Sequence, residues 1–278
     1  MLKKIGLTIN GYPAPLRLGI FILGLICAWL PIAVPLFFLI QEDANLRSIV
    51  TMVPLGLLFF IGLYAWGKIV YPAKNVWALY GLGRPRQNGL LLLKGLAWGL
   101  LFTFSLFITE SLLGWVEIYS SGVNLGRVVL EGSLTGLGVA FAEELFFRGW
   151  LLTELERDYT PPTTLWVNSL LFATLHFLKP FSEILRTFPQ FPALILLGML
   201  LVIAKRSYGQ LLGICIGLHG GLVWGYYILN VGKLLHYTNR VPDWVTGIDQ
   251  NPLAGILGIL FLGLLMGLIV VFAPRKRA

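Results

Sequence analysis

Long apolar runs separated by short polar segments dominate the chain. A helix that crosses a bilayer needs about 20 predominantly apolar residues, and the chain contains eight candidate spans. The fifth is short, and the fourth and seventh carry ionisable side chains, as expected for helices that line a site and do not face lipid. The predicted spans are 18–40, 49–70, 89–109, 132–153, 163–178, 190–206, 209–230 and 252–272.

This pattern predicts an all-α fold: a polytopic membrane bundle of about eight transmembrane helices that forms a single transmembrane domain over residues 1–278. The composition agrees, because 57% of the residues are hydrophobic and only 12% are charged, whereas soluble domains carry about 25% charged residues. We therefore expect an integral, multi-pass membrane protein in contact with the lipid bilayer.

The formal net charge of +8 must be weighed against nucleic-acid binding, which would need a basic face outside the bilayer. Basic residues instead cluster at the ends of apolar runs, as the positive-inside rule describes. We therefore expect no nucleic-acid partner, and both termini in the cytosol. The basic residues are Lys3, Lys4, Arg17, Lys68, Lys74, Arg84, Arg86, Lys205, Arg206, Arg275, Lys276 and Arg277. The acidic residues assigned to the opposite loops are Glu42, Asp43, Glu110, Glu117 and Glu131.

The seventh run has a glycine at every fourth position. Small residues at this spacing let a neighbouring backbone approach closely. At 100° per residue, His219 lies about 200° from Gly217, on the other side of the helix. One face is thus predicted to pack tightly while the other presents His219. The glycines are Gly209, Gly213, Gly217, Gly221 and Gly225.

Two adjacent carboxylates and an arginine interrupt the fourth run at Glu143, Glu144 and Arg148. An ionisable side chain at membrane depth costs roughly 2.5–3.5 kcal/mol on insertion scales, so it rarely lacks a partner or a task. Glu144 and Arg148 are an i,i+4 pair on one helix face, whereas Glu143 is rotated by about 100°. A structural ion pair would explain Glu144 and Arg148 but leaves one carboxylate over.

Two of the three histidines, His176 and His219, also lie in apolar runs, whereas His236 falls in a loop. Each alone is typical of a satisfied core histidine. If helices four, five and seven converge in the bundle core, however, these imidazoles would meet Glu143 in a hydrolytic site. Two chemistries stay open. Glu143, His176 and His219 could bind Zn²⁺ or another divalent metal with a water in the fourth position, or a metal-free carboxylate could act as base toward water.

The ordered set resembles a known family. Glu143-Glu144-x-x-x-Arg148, then Phe172-x-x-x-His176 and a later intramembrane histidine, is similar to the CPBP (Abi) family of intramembrane proteases. That family includes the CAAX prenyl-protein endopeptidases and bacteriocin-processing or immunity proteins. The resemblance covers roughly residues 130–230, which we interpret as the catalytic core helices.

The resemblance implies a role for each matching position. Glu143 would be the principal catalytic carboxylate, with Glu144 and Arg148 supporting it. His176 would bind or activate the attacking water, or ligate a metal, and His219 would complete the site.

One position departs from the family pattern. The family often carries Asn or Asp four residues after the last histidine as an oxyanion donor, and this chain has Val223 there. Asn168, Asn230 or Arg148 are the replacements that the sequence offers, since each could donate to a carbonyl oxygen.

The sequence therefore favours an intramembrane endopeptidase that hydrolyses a peptide bond of a membrane-associated protein or peptide near the cytosolic face, with water activated by Glu143, His176 and His219. One alternative is a non-proteolytic membrane scaffold or chaperone that retains the motif, which the departure at Val223 favours. Another is a proton-coupled transporter that uses Glu143 or Glu144 as a relay.

Overall fold

The computed structural model describes residues 2–120 and 122–274, and within them the chain is almost entirely helical with one two-stranded sheet. The first half contains α1 (Leu2–Asn10), α2 (Ala14–Leu39), α3 (Ala44–Ile69), α4 (Val76–Leu79), α5 (Pro85–Leu112), β1 (Val116–Ile118) and α6 (Leu125–Glu144). The predicted all-α membrane bundle is confirmed.

The second half begins with a π-helix, Leu145–Leu151, which continues α6 without a break. After it come α7 (Leu152–Leu155), α8 (Pro161–Leu175), α9 (Phe181–Thr187), a 3₁₀ turn (Phe188–Gln190), α10 (Phe191–Ser207), α11 (Gly213–Val231), β2 (Leu235–Tyr237), α12 (Asp243–Thr246), 3₁₀ turns Ile248–Gln250 and Pro252–Ala254, and α13 (Ile256–Val271).

Among residues 2–120 and 122–274, six helices are long and apolar enough to cross a membrane. Two of the eight predicted spans fall short of the roughly 20 residues that a crossing needs. The run 163–178 becomes α8, with 15 residues, because the chain turns at His176; the run 252–272 yields α13, with 16 residues. The six long helices are Ala14–Leu39, Ala44–Ile69, Pro85–Leu112, Leu125–Leu155, Phe181–Ser207 and Gly213–Val231.

The chain divides into two compact units. The first comprises Met1–Gly83 and Trp150–Tyr159, and the second comprises Arg84–Gly149 and Thr160–Ala278. A single transmembrane domain over residues 1–278 stays a prediction. The core predicted at residues 130–230 lies in the second unit, apart from the segment Trp150–Tyr159.

A buried polar network holds the first unit together around Glu154. The Arg17 guanidinium donates to Glu154 through Nε at 2.8 Å, the Trp66 indole donates at 2.9 Å, and the Tyr71 hydroxyl donates as well. Burial, and then the hydrogen bond to Glu154, raise the pKa of Tyr71 above its ordinary value. Arg17, which the sequence suggested as a loop cation, is thus an internal ion-pair partner at 2% exposure.

The second unit is built on close packing between α5 and α11. A Cβ added at Gly217 would lie 2.1 Å from the Leu92 carbonyl oxygen, and one at Gly221 would lie 2.6 Å from that of Leu96. Only glycine allows this approach. The predicted docking face is confirmed, except that Gly209 lies in the turn before α11 with φ +72°. His219 lies on the opposite side of α11.

One further prediction changes at the end of a helix. Glu110 is not a loop residue but lies in the last turn of α5, fully buried, and both its carboxylate oxygens lack a hydrogen-bond partner within the described residues. His236 is exposed as predicted, on β2 opposite Glu117 of β1. The basic residues Arg275, Lys276 and Arg277 lie outside the described residues, as does the side chain of Lys3.

Candidate active site

The two glutamates end helix α6, where the backbone changes from α-helical to π-helical hydrogen bonding. Asn124 starts this helix, and its side chain accepts a hydrogen bond from the Arg127 backbone amide. Consecutive residues point in different directions on a helix, so the two carboxylates separate. Glu144 is fully buried, whereas the Glu143 side chain is 31% exposed. As predicted, Glu144 pairs with Arg148 while the Glu143 side chain points to different surroundings.

Glu144 joins an arginine and a histidine through one oxygen. Its Oε1 accepts a hydrogen bond from Arg148 Nη1 at 2.9 Å and lies 2.9 Å from His219 Nδ1. A carboxylate facing Nδ1 favours the tautomer that carries its proton there, which leaves Nε2 as the free ring nitrogen. Glu144 therefore orients His219, and the positive charge of Arg148 balances the negative charge of Glu144.

Arg148 is enclosed on all sides. Its Nη2 donates to the Gly198 carbonyl at 3.2 Å, and its guanidinium carbon lies 4.3 Å from the centre of the Phe172 ring. The side chain is 0% exposed. Arg148 is therefore placed to pair with Glu144. It does not line the cavity, so this geometry does not support the suggested use of Arg148 as a replacement oxyanion donor.

Glu143 faces His176 across a short gap. Glu143 Oε2 and His176 Nε2 are 3.8 Å apart, and the two side chains are 31% and 32% exposed. His176 Nδ1 lies 2.7 Å from the Phe172 carbonyl oxygen. A carbonyl only accepts hydrogen bonds, so Nδ1 carries a proton and Nε2 is directed to Glu143.

Phe172 organises the site from its centre. Its ring centroid lies 4.5 Å from that of His176 and 6.2 Å from that of His219, and the Arg148 guanidinium carbon lies 4.3 Å from the same centroid. The ring is fully buried. The spacing Phe-x-x-x-His in the sequence thus places an apolar ring that contacts both imidazoles and lines the same cavity.

Glu143, His176 and His219 all line one cavity of about 450 Å³ in the second unit. The structure therefore brings together the three groups that the sequence placed on three separate helices. Val223, the departure from the family pattern, lies on the same wall. Most of the remaining lining is apolar and includes Phe102, Leu106, Leu194, Leu197, Leu222 and Phe261.

A divalent metal held by Glu143, His176 and His219 stays a prediction. No group of three or more His, Cys, Asp or Glu side chains that could hold an ion occurs between residues 2 and 274, with Ser121 left aside.

The two asparagines offered as replacements for the amide at position 223 serve other purposes. Asn168 is fully buried and donates through Nδ2 to the Phe147 carbonyl at 2.8 Å. Asn230 is exposed and donates to the Tyr226 hydroxyl at 3.3 Å. Neither asparagine lines the cavity that contains Glu143, His176 and His219.

Lys205 is the site-adjacent residue that the sequence did not reveal. It lies in the last turn of α10, where the sequence pattern predicts a loop cation like Arg206, but it is only 2% exposed. Its ammonium donates to the Arg148 carbonyl oxygen at 2.5 Å. A charge at the end of an apolar run has the same pattern whether it points to water or turns inward, so no local signal distinguishes the two.

Comparison with known proteins gives one match. Residues 125–225 match the family described as Rce1-like, type II CAAX prenyl endopeptidase Rce1-like. The match supports a relationship of this segment to the CPBP family of CAAX protease-like proteins. The matched range contains Glu143, His176 and His219, the three cavity residues that the sequence analysis selected. No curated protein sequence and no solved structure matches the chain.

Proposed function

We propose that this CAAX protease-like membrane protein is an intramembrane endopeptidase of the glutamate type, which cleaves a membrane-associated protein or peptide. The observation that carries the proposal is the convergence of Glu143, His176 and His219 on one cavity within the segment that matches the family. Supporting roles fall to Glu144 and Arg148.

The attacking water is proposed to bind between Glu143 and His176. At 3.8 Å it is too long for a direct hydrogen bond and is the kind of separation that a water bridges. Within the described residues, Glu143 Oε2 has no hydrogen-bond partner. With its proton held at Nδ1, His176 offers Nε2 as a second acceptor. A water that donates to both has its lone pairs directed away from them, toward a bound carbonyl.

The chemistry then needs only general acid–base steps. Glu143 takes a proton from the water as the water oxygen bonds to the carbonyl carbon of the substrate peptide bond. The carbonyl oxygen becomes an oxyanion in the tetrahedral intermediate. When the C–N bond breaks, Glu143 returns the proton to the leaving nitrogen. The products are a new carboxyl terminus and a new amine.

His219 is the proposed electrophilic partner of this step. In the neutral tautomer its Nε2 only accepts, so this role requires a second proton on Nε2. Nε2–H would then donate to the oxyanion, and Glu144, which faces Nδ1, would stabilise the positive charge of the ring, as a buried carboxylate does for a catalytic histidine. Val223 brings no donor, so His219 would carry this task alone. We expect a slower enzyme than one with an amide at position 223.

The cavity also bears on the substrate and the orientation. Its largely apolar lining suits a peptide with apolar side chains or an apolar modification near the bond that is cut. We propose that both termini are cytosolic and that the substrate enters from the membrane or its cytosolic face, since basic residues cluster at the ends of alternate spans.

A direct test is peptide cleavage in ¹⁸O-labelled water by the purified protein in lipid nanodiscs, with products read by mass spectrometry. The expected result is one ¹⁸O atom in the new carboxyl terminus. Glu131→Gln is a matched control because Glu131 is partly exposed on the same helix and pairs with Arg127; it should cleave normally. His176→Asn should lose cleavage. Equal cleavage by His176→Asn would assign the activity to a contaminant and favour the scaffold alternative.

A further inference from the structure

We infer that Lys205 and Asn168 are positioning residues, which hold the π-helical turn after Glu144 and thereby set the geometry of the catalytic helix. This inference rests on the proposed function for its kinetic consequence. Its structural content concerns only the backbone of residues 145–151, and can be measured without any activity.

The starting observation is the π-helix itself. It runs over Leu145–Leu151, directly after the two glutamates, and it carries Arg148. π-helical segments are rare and usually short, because their i→i+5 hydrogen bonds are easily exchanged for the i→i+4 bonds of an α-helix. Where the spacing changes, backbone groups lose their regular partners, and at membrane depth an unpartnered group is costly.

Two side chains from other helices reach this turn at consecutive carbonyls. Asn168 Nδ2, from α8, donates to the Phe147 carbonyl oxygen at 2.8 Å. Lys205 Nζ, from α10, donates to the Arg148 carbonyl oxygen at 2.5 Å. Asn168 is 0% exposed and Lys205 is 2% exposed. Both contacts are thus removed from water. In this low-dielectric setting a hydrogen bond is electrostatically stronger than it is in water.

A buried ammonium is expensive and needs a compensating reason. The hydrogen bond from Lys205 to the Arg148 carbonyl oxygen is one contact that offsets this cost, and it places a charged donor at the π-helical turn.

The position of Arg148 depends on this turn. Arg148 holds Glu144, and Glu144 holds His219 Nδ1. If the segment reverted to α-helical spacing, every residue after Glu144 would rotate about the helix axis, and the guanidinium would leave its place above Phe172. Lys205 and Asn168 act through Arg148 and do not themselves line the cavity.

The test compares Lys205→Met, Asn168→Leu and Lys205→Arg with a matched control, Arg206→Met, whose guanidinium donates to the first turn of α8. Steady-state peptide cleavage gives kcat and KM, and hydrogen–deuterium exchange with mass spectrometry reports the backbone of residues 145–155. Loss of a hydrogen bond from a charged donor should lower kcat of Lys205→Met about tenfold to a hundredfold, and speed local exchange by a similar factor.

KM should stay within about threefold, since a positioning defect acts on the chemical step. Lys205→Arg should restore most of kcat, and Asn168→Leu should change both readouts in the same direction by a smaller factor. Arg206→Met should match the wild type. If Lys205→Met does not fold, Asn168→Leu decides. Wild-type kcat and exchange in Asn168→Leu, or a Lys205→Arg variant as impaired as Lys205→Met, would overturn the inference.

The two proposals fail separately. If the wild-type protein cleaves no peptide, the proposed function fails, but the exchange rates of residues 145–155 in Lys205→Met and Asn168→Leu still decide whether these side chains hold the π-helical turn. If the wild type cleaves and the variants exchange like the wild type, the positioning inference alone is wrong.

Discussion

His219 Nδ1 lies 2.9 Å from Glu144 Oε1, and the same oxygen accepts a hydrogen bond from Arg148. One buried carboxylate thus serves an imidazole and a guanidinium at once. This arrangement separates the roles of the two adjacent glutamates, because Glu144 is committed to the protein while Glu143 faces the cavity.

The buried pair of Glu144 and Arg148 should behave as a unit. Either single variant, Glu144→Leu or Arg148→Met, leaves an uncompensated charge at 0% exposure and should destabilise the protein by about 3–5 kcal/mol. The double variant should be more stable than either single one and inactive. Thermal denaturation in detergent checks this, and strictly additive losses would show that the two side chains are not coupled.

Restoring an amide at position 223 should raise activity. Val223 lies on the cavity wall beside His219, four residues further along α11. Removal of one oxyanion donor typically costs a hundredfold to a thousandfold in kcat, so Val223→Asn should increase kcat by about tenfold or more. Val223→Leu is the control for side-chain size. An unchanged or lower kcat in Val223→Asn would mean that the oxyanion lies elsewhere.

Removal of the buried carboxyl of Glu110 should stabilise the protein. Neither of its oxygens has a hydrogen-bond partner among the described residues, and it follows Leu106 and Phe107 of the apolar cluster around Leu229. Replacing an unsatisfied buried group by an apolar one of similar shape should gain about 1–3 kcal/mol. We expect Glu110→Met to unfold at a higher temperature than the wild type, and Glu110→Gln to show little gain. Lower stability or lost cleavage in Glu110→Met would reveal an unrecognised use of the carboxyl.

Chelation should leave peptide cleavage unchanged. The structure shows no three-ligand cluster for a metal within its described residues, and the proposed steps use Glu143, His176 and His219 without a metal. Incubation with EDTA and with 1,10-phenanthroline, followed by elemental analysis of the purified protein, measures this. Loss of activity that returns on adding Zn²⁺ would instead support the alternative in which Glu143, His176 and His219 bind a metal.

The sequence predicted which side chains meet in the cavity because the signals for them are either a short helical spacing or the presence of an ionisable residue type in an apolar run. The i,i+4 spacing of Glu144 and Arg148 defines a contact on any helix. Ionisable groups are so costly in lipid that Glu143, His176 and His219 are expected to face the interior of the bundle or a cavity. The glycines of α11 indicated which face packs against a neighbour, and so which face presents His219.

Other features depend on partners that are distant in the chain. Lys205 and Arg17 carry the pattern of loop cations, and only the positions of Arg148 and Glu154 show that both are internal. The π-helix over Leu145–Leu151 differs from an α-helix by one residue of hydrogen-bond spacing, which no periodicity in so short a segment can reveal. The end of α8 at His176 likewise depends on tertiary packing.

The most direct measurement of the central claim is the single-turnover cleavage rate of Glu143→Gln beside that of Glu131→Gln, on one peptide and in the same nanodiscs. Glu143→Gln keeps the shape of the side chain but cannot accept a proton from water. General-base catalysis contributes typically 10²–10⁴-fold, so we predict a loss of about that size in Glu143→Gln and none in Glu131→Gln. Cleavage by Glu143→Gln at the wild-type rate would contradict the account.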